Sequence, residues 1–574
     1  MKRLKQVLAF SNVNARVRYA LLCAALFWLQ GVRPLVGEPW QWADDGLFLR
    51  QAEGFSAWAF GNGKHWLGAY DFTTISKPPA LAIWLSVIHI LGIPLRVAEF
   101  GALCLLPILF SRAITPMVRL GTGGFTCCAF LIICVPTIFV EYRLLRDGLQ
   151  SILASGTLIS VIGLLLRFNA GVASQCTWAV CAGLFWSGAY LNREESLWLL
   201  PALIWAISII TIYNSRKRRI AYCLAPLLTL GGSVLFPISL VAYLNYDSYG
   251  VFLTSSRRGP EISKLWSVLG RLEPESKERL VPIRQSTRMK AYEISPAFAR
   301  FRPFFDGPPG DEFAANPGQL AMNGRSLDQR EFFVSSFEWG MLKGGDFAGA
   351  KTAKSLEFLF GEAATELLKG IDDGRISAGQ SSFFLSVGSP IKGDFSRIFL
   401  ESCRSLRQLI NIYGLESIID PPKFSSGSSV DLNRIAHLTS TPTAPTKEEA
   451  GKVITDHSSK YRVQATHLVF QFLRVAYLVL IISPFLAIPL LLIKTKFGES
   501  ARMGLYGWIM VTGSLVSFCI IMGIMEVLSW SNLHHPNGYN RLGYTPLSIL
   551  SGFSLAIILS LNQWYLSWSR SERK

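Results

Sequence analysis

The side chains able to do chemistry stand in short groups at the ends of apolar runs. Asp44-Asp45 comes first, and Lys77-Pro78-Pro79 closes the same polar stretch. Arg143-x-x-Arg146-Asp147 and Arg193-Glu194-Glu195 follow, and Tyr539-Asn540-Arg541 stands near the end of the chain. Charged groups are costly inside a bilayer. At its boundary, a carboxylate and a cation suit acid–base work on a phosphate-bearing lipid. Adjacent carboxylates raise each other's proton affinity, so the Asp44-Asp45 pair suits a general base. Arg143 and Arg146 lie where positive charge is not otherwise favoured, which points to an anion. Glu194 and Glu195 fit substrate positioning and equally the capping of a helix start. Tyr539 and Arg541 fit a phosphate clamp and equally interfacial anchoring. No third ligand accompanies His534-His535, which read as an ordinary loop rather than a metal site.

The elements that hold these groups are mostly membrane helices. Half of the 574 residues are hydrophobic and 17% are charged, and the mean hydropathy is +0.33. Several segments reach the roughly 18–20 apolar residues that a span needs. The net charge of +17 does not imply nucleic acid. Between Asp247 and Arg462 there are 28 Lys and Arg against 26 Asp and Glu, a net of +2. The remaining +15 falls in clusters between spans and at the termini, the pattern of cytoplasmic loops. Nine of the ten cysteines lie in or beside apolar segments, so no disulfide framework is expected.

The expected fold class is an all-α polytopic membrane protein of about ten spans, with a mainly helical soluble insert. Residues 1–244 form a catalytic transmembrane module of seven spans. Its first exoplasmic loop, 38–96, holds a surface-lying helix after Asp44 and a second short apolar segment at 79–93 that lies on or re-enters the membrane. Residues 245–465 form the exoplasmic insert, with a Ser/Thr/Pro-rich flexible linker at 421–447. Residues 466–574 supply the last three spans. Both termini are expected in the cytoplasm of a plasma (inner) membrane protein. Every charged group named above then falls on the exoplasmic or periplasmic face.

The order of these motifs resembles the GT-C superfamily of integral-membrane glycosyltransferases, in particular the branch of protein O-mannosyltransferases and the aminoarabinose transferase of lipid A. The resemblance rests on Asp44-Asp45, Lys77-Pro78-Pro79 and Arg143-x-x-Arg146-Asp147, and covers about residues 15–240. It implies a polyprenyl-phosphate-linked sugar as donor, a glycan, lipid or protein hydroxyl as acceptor, and a single inverting displacement. Asp44 would be the base, Asp45 would orient a substrate, and Asp147 would match the second acidic motif. Lys77, with Arg143 or Arg146 as helpers, would hold the leaving phosphate, with Arg541 similar in placement only. A basic clamp on a monophosphate implies no obligatory metal or other cofactor. The insert departs from those families, and Asn192-Arg193-Glu194-Glu195 matches none of their motifs. Two other readings compete: a transporter or flippase for lipid-linked sugars, and a non-catalytic envelope assembly protein. The one-sided polar groups and the absence of inverted repeats weigh against the first.

Overall fold

The computed structural model describes residues 13–30, 34–37, 44–138, 143–216, 220–272, 281–311, 331–332, 334–377, 394–412, 424–444, 446, 458–493, 499–528 and 542–572. Among them the chain is helical, with two isolated parallel bridges and no strand. In chain order the N-terminal part comprises α1 Val13–Gln30, α2 Asp44–Ala59, α3 Ala80–Ile90, α4 Leu95–Ile114, α5 Thr122–Ile138, α6 Asp147–Leu165, α7 Val172–Asn192, α8 Leu200–Arg216 and α9 Ile220–Tyr249. A 3-10 turn, Glu194–Leu199, joins α7 to α8.

Among the described residues, seven segments are long and apolar enough to cross a membrane: Leu95–Ile114, Asp147–Leu165, Glu194–Ser215, Leu224–Tyr249, Tyr461–Ile482, Met503–Val527 and Tyr544–Gln563. α5 is apolar but shorter. α1 and α7 are of spanning length and pack in the same bundle, outside that group of seven. The chain is therefore an all-α polytopic membrane protein. At 11 residues, α3 extends for only about 16 Å, well short of a hydrocarbon core of about 30 Å.

α6 is the hub. A Cβ at Gly156 would lie 2.4 Å from the Phe185 ring, and one at Gly163 would lie 2.3 Å from Trp178. These two glycines let the aromatic face of α7 rest on the α6 backbone, as small residues do between membrane helices.

The insert begins with α10 Pro260–Leu269 and α11 Gln285–Ile294, and continues through α12 Val334–Phe347 and α13 Ala353–Asp372. Its core is aromatic. The segment 296–305, PAFARFRPFF, buries Phe298, Phe301, Phe304 and Phe305 against Phe332, Phe337 and Phe360. Phe72 of the first loop is buried in this same cluster.

The second half of the insert returns to the membrane part. α14 Asp394–Ile410 packs along α17 Glu499–Leu528, which follows α16 Ser458–Ile493 and precedes α18 Tyr544–Glu572. The expected linker 421–447 also contains regular structure. Its residues Ser429–Thr439 form helix α15, opened by Ser428, whose hydroxyl accepts the Asp431 N–H at 3.2 Å. Ile435 and Leu438 are buried by docking on α2 and α3, and Leu432 is buried beside Gly37. Thr443 bridges Leu35, with Leu35 N–H donating to Pro442 O at 2.8 Å.

Candidate active site

The first loop is built to present Lys77. The Asp71 carboxylate accepts the N–H groups of Thr73 and Thr74 at 2.7 and 2.8 Å, forming an Asx turn. Gln51 on α2 then donates its amide to Thr74 O at 2.8 Å and to Lys77 O at 3.2 Å. From the other side, Ser256 N–H donates to Ile75 O at 2.7 Å and Ser255 Oγ to Ser76 O at 2.9 Å. Trp66 donates its indole N–H to Asn245 at 2.9 Å, which ties the loop to the end of α9. Pro78-Pro79 leads directly into α3, with Pro79 as its N-cap.

Four ion pairs meet at this boundary. Lys77 donates to Asp44 in the first turn of α2. Arg143 donates twice to Asp45, from Nε at 3.2 Å and Nη2 at 2.9 Å. Arg193 pairs with Asp147 at the start of α6. Arg146 lies 3.6 Å from Glu194 and donates to Asn192 O at 2.8 Å. The α7 end is locked by Asn192, whose amide donates to Arg146 O at 2.9 Å and to Gln150 at 3.0 Å. Phe48, one α2 turn below Asp44, presents its ring to both Lys77 at 5.6 Å and Arg146 at 5.7 Å.

The insert supplies one wall of the site. Arg257 is ion-paired to Glu338 of α12, and Trp339 lies 5.2 Å from Arg257 and 5.6 Å from Lys77. The segment 257–309 is rich in Arg and aromatics, and Arg257-Arg258 follows closely on α9. That signal could have found Arg257. Glu338 and Trp339 carry no local signal, because only folding of the insert brings α12 to the first loop.

Burial and charge compete at Asp44 and Lys77. Burial alone would raise the Asp44 carboxyl, but Lys77, Arg146 and Arg193 outweigh it and hold it well below the usual carboxylate range. Burial lowers the Lys77 ammonium to about 8, with Arg146 and Arg257 adding to the fall and Asp44 opposing it. Burial also opposes the Arg257 charge, and Glu338, Glu194 and Glu195 more than restore it. Adjacency alone thus misjudges Asp44-Asp45. Each carboxylate has its own cation, so the resting Asp44 is a weaker base than the free side chain.

The structure therefore brings together Asp44, Asp45, Lys77, Arg143, Arg146, Asp147 and Glu194. Glu195 is half-buried beside them, and its Oε2 has no hydrogen-bond partner among the described residues. Tyr539, Arg541 and His534-His535 lie outside the described residues. The rim is open: Asp44, Arg143 and Asp147 keep 29%, 28% and 19% of their side chains exposed, whereas Asp45 keeps none. A separate cavity of about 600 Å³, lined by Glu53, His89, Arg434 and His437, adjoins the other end of α2.

No family model matches the sequence, and no curated protein does. Among solved structures, the chain is similar to ArnT from Cupriavidus metallidurans bound to undecaprenyl phosphate. The identity is 12% and the TM-score 0.31, over 89% of this chain and 77% of that one. It is also similar to the arabinosyltransferase EmbB from Mycobacterium smegmatis, at 11% identity and a TM-score of 0.30, over 90% of this chain and 41% of that one. At these scores the likenesses assign no residue and no role to this chain.

Proposed function

We propose that the chain is a membrane glycosyltransferase that moves a sugar from a polyprenyl-phosphate donor to an acceptor hydroxyl on the exoplasmic face. The observation that carries this reading is the ion pair of buried Lys77 with part-exposed Asp44 where the apolar helices begin, with Arg146, Arg257 and two aromatic rings around the cation. Motif order from Asp44 to Asp147 supports the same donor class.

The pairing gives the mechanism an order. Donor phosphate engages Lys77 by charge-assisted hydrogen bonds, with Arg146 and Arg257 beside it. Lys77 is then shared or lost to Asp44, whose proton affinity climbs back toward that of an ordinary carboxylate. Asp44 takes the acceptor proton as the acceptor oxygen bonds to the anomeric carbon. The bond from that carbon to the phosphate oxygen breaks, its electron pair leaves on the phosphate, and configuration inverts. Lys77 and the arginines stabilise the charge that develops there. Asp45, buried and doubly bonded to Arg143, orients rather than accepts. Asp147 and Glu194 hold Arg193 and Arg146 in place, and Glu195 faces the substrate. Only the donor-loaded protein then has a competent base.

Purified protein in lipid nanodiscs, given a polyprenyl-phosphate sugar and a hydroxyl acceptor, should release polyprenyl phosphate in step with glycoside formation. Movement of intact donor between leaflets without release would instead establish the flippase. Labelling a cysteine placed at Gly349 is expected from the exoplasmic side, and labelling only from the cytoplasm would overturn the sidedness.

A further inference from the structure

The ion pairs at the boundary site leave some buried atoms unused. Arg146 Nε, Glu195 Oε2, Ser256 Oγ, Arg257 Nε and Glu338 Oε1 are buried, and none has a hydrogen-bond partner among the described residues. Burial of such an atom without a partner is costly, so each calls for one.

They call for partners of two kinds. The two arginine Nε–H groups only donate, and phosphate oxygens accept from them. The carboxylate oxygens of Glu195 and Glu338, when ionised, only accept. A phosphodiester has no donor to offer them and repels their charge. The Ser256 hydroxyl serves either kind.

Both kinds stand at one place. Glu338 is 5% exposed and binds Arg257 through its other oxygen, Oε2. Glu195 acts on the same guanidinium. Trp339, next in the chain after Glu338, has its ring 5.2 Å from Arg257 and 5.6 Å from Lys77. Ser256 is fixed beside the first loop by its own N–H, which donates to Ile75 O at 2.7 Å. A ligand that satisfies all of these groups has an acceptor end and a donor end joined at short range. A phosphodiester carrying a polyhydroxylated ring has that form.

We propose that Glu195, Glu338 and Ser256 form the subsite for the sugar, taking hydrogen bonds from its hydroxyls while Lys77, Arg146 and Arg257 hold the phosphate. This rests on the glycosyltransferase reading and adds the origin of its specificity. Ser256 and Glu338 belong to the insert, so the insert shares in choosing the sugar. A carboxylate built to receive a hydroxyl discriminates strongly against a ligand that lacks it.

The test is equilibrium binding to the full chain in nanodiscs. The probes are undecaprenyl phosphate and undecaprenyl phosphates bearing glucose, mannose or galactose. Wild type should bind at least one sugar-bearing lipid about tenfold more tightly than the bare lipid. Glu195→Gln should remove most of that advantage. Its binding of bare undecaprenyl phosphate should be kept or strengthened, because a charge that repels phosphate is gone; this also shows that the fold is kept. Glu338→Gln and Ser256→Ala should each reduce the advantage in the same way. No sugar advantage in wild type, or the full advantage in all three variants, would overturn the subsite and leave the phosphate clamp standing, with trapped water only at the unused atoms. Failure of wild type to bind bare undecaprenyl phosphate would overturn the clamp and the subsite with it.

Discussion

Among the described residues, one cluster of buried arginine and carboxylate lies inside the insert, and another lies where the apolar helices α6 and α8 begin. In the first, Arg288 is fully buried, donates to Asp306 at 3.0 Å and lies 3.8 Å from Glu331. The rings of Phe305 and Phe332 close over it at 5.8 and 5.2 Å. Its members come from one compact aromatic core. In the second, the pairs of Lys77, Arg143, Arg146, Arg193 and Arg257 come from α2, the first loop, the ends of α6 and α7, and the insert. Several of its carboxylates and cations keep an open edge. Closed, the same chemistry is internal bracing. Drawn from many elements and open on one side, it can exchange a carboxylate for a substrate phosphate.

The largest effects should separate the two clusters. Arg288→Ala leaves two buried carboxylates without their cation, a loss of about 3–5 kcal/mol. Thermal unfolding should show it as a large fall in Tm, with transfer per folded molecule unchanged. Asp44→Asn should act on the chemistry, lowering transfer per folded molecule by about 10²–10⁴-fold, with a fall in Tm as well because buried Lys77 loses its anion. Asp45→Asn should be milder, because Arg143 is partly exposed and can turn to water. If Asp44→Asn costs Tm but not transfer, the boundary cluster is bracing like the other.

A smaller effect is expected at Lys77. Loss of a charge-assisted hydrogen bond costs on the order of 1.5–3 kcal/mol, so Lys77→Ala should reduce transfer at least roughly tenfold. Wild-type transfer by Lys77→Ala would make this lysine a helix-end anchor.

The pH dependence sharpens the point with the least perturbation. Lys77 is charged below about 8. As pH rises through that value the phosphate loses its cation, so transfer should fall, and Lys77→Arg should move this limb to higher pH. Stability should run the other way. Between about 8 and the ordinary 10.5 the unfolded chain binds more protons than the folded one, so the Lys77 contribution rises with pH. Parallel pH profiles of transfer and Tm would contradict the assignment.

Much of the boundary cluster was legible in the sequence, for one physical reason. Asp44, Lys77, Arg146 and Asp147 stand at the ends of apolar runs, where a charged side chain must find a partner, a headgroup or a substrate, so their types and places single them out as candidates. Their pairing was not legible, because Lys77 meets Asp44 across 33 residues and Arg257 meets Glu338 across 81. The basicity of Asp44 was misjudged for the same reason: its cations are distant in sequence. The segment 421–447 was misread because its Ser, Thr and Pro content hid a capped amphipathic turn sequence, Ser428 to Leu438. A helix after Asp44 was legible because helical spacing is a local property; that Leu47, Phe48 and Ala52 on it pack in a protein core with α3 and α15 was not.

The most direct test of the boundary site is a structure of the protein in a nanodisc with a polyprenyl phosphate. The phosphate should lie about 3 Å from Lys77 Nζ, with the Asp44 carboxylate displaced from the lysine. A phosphate bound elsewhere, with the Lys77 to Asp44 pair intact, would contradict it.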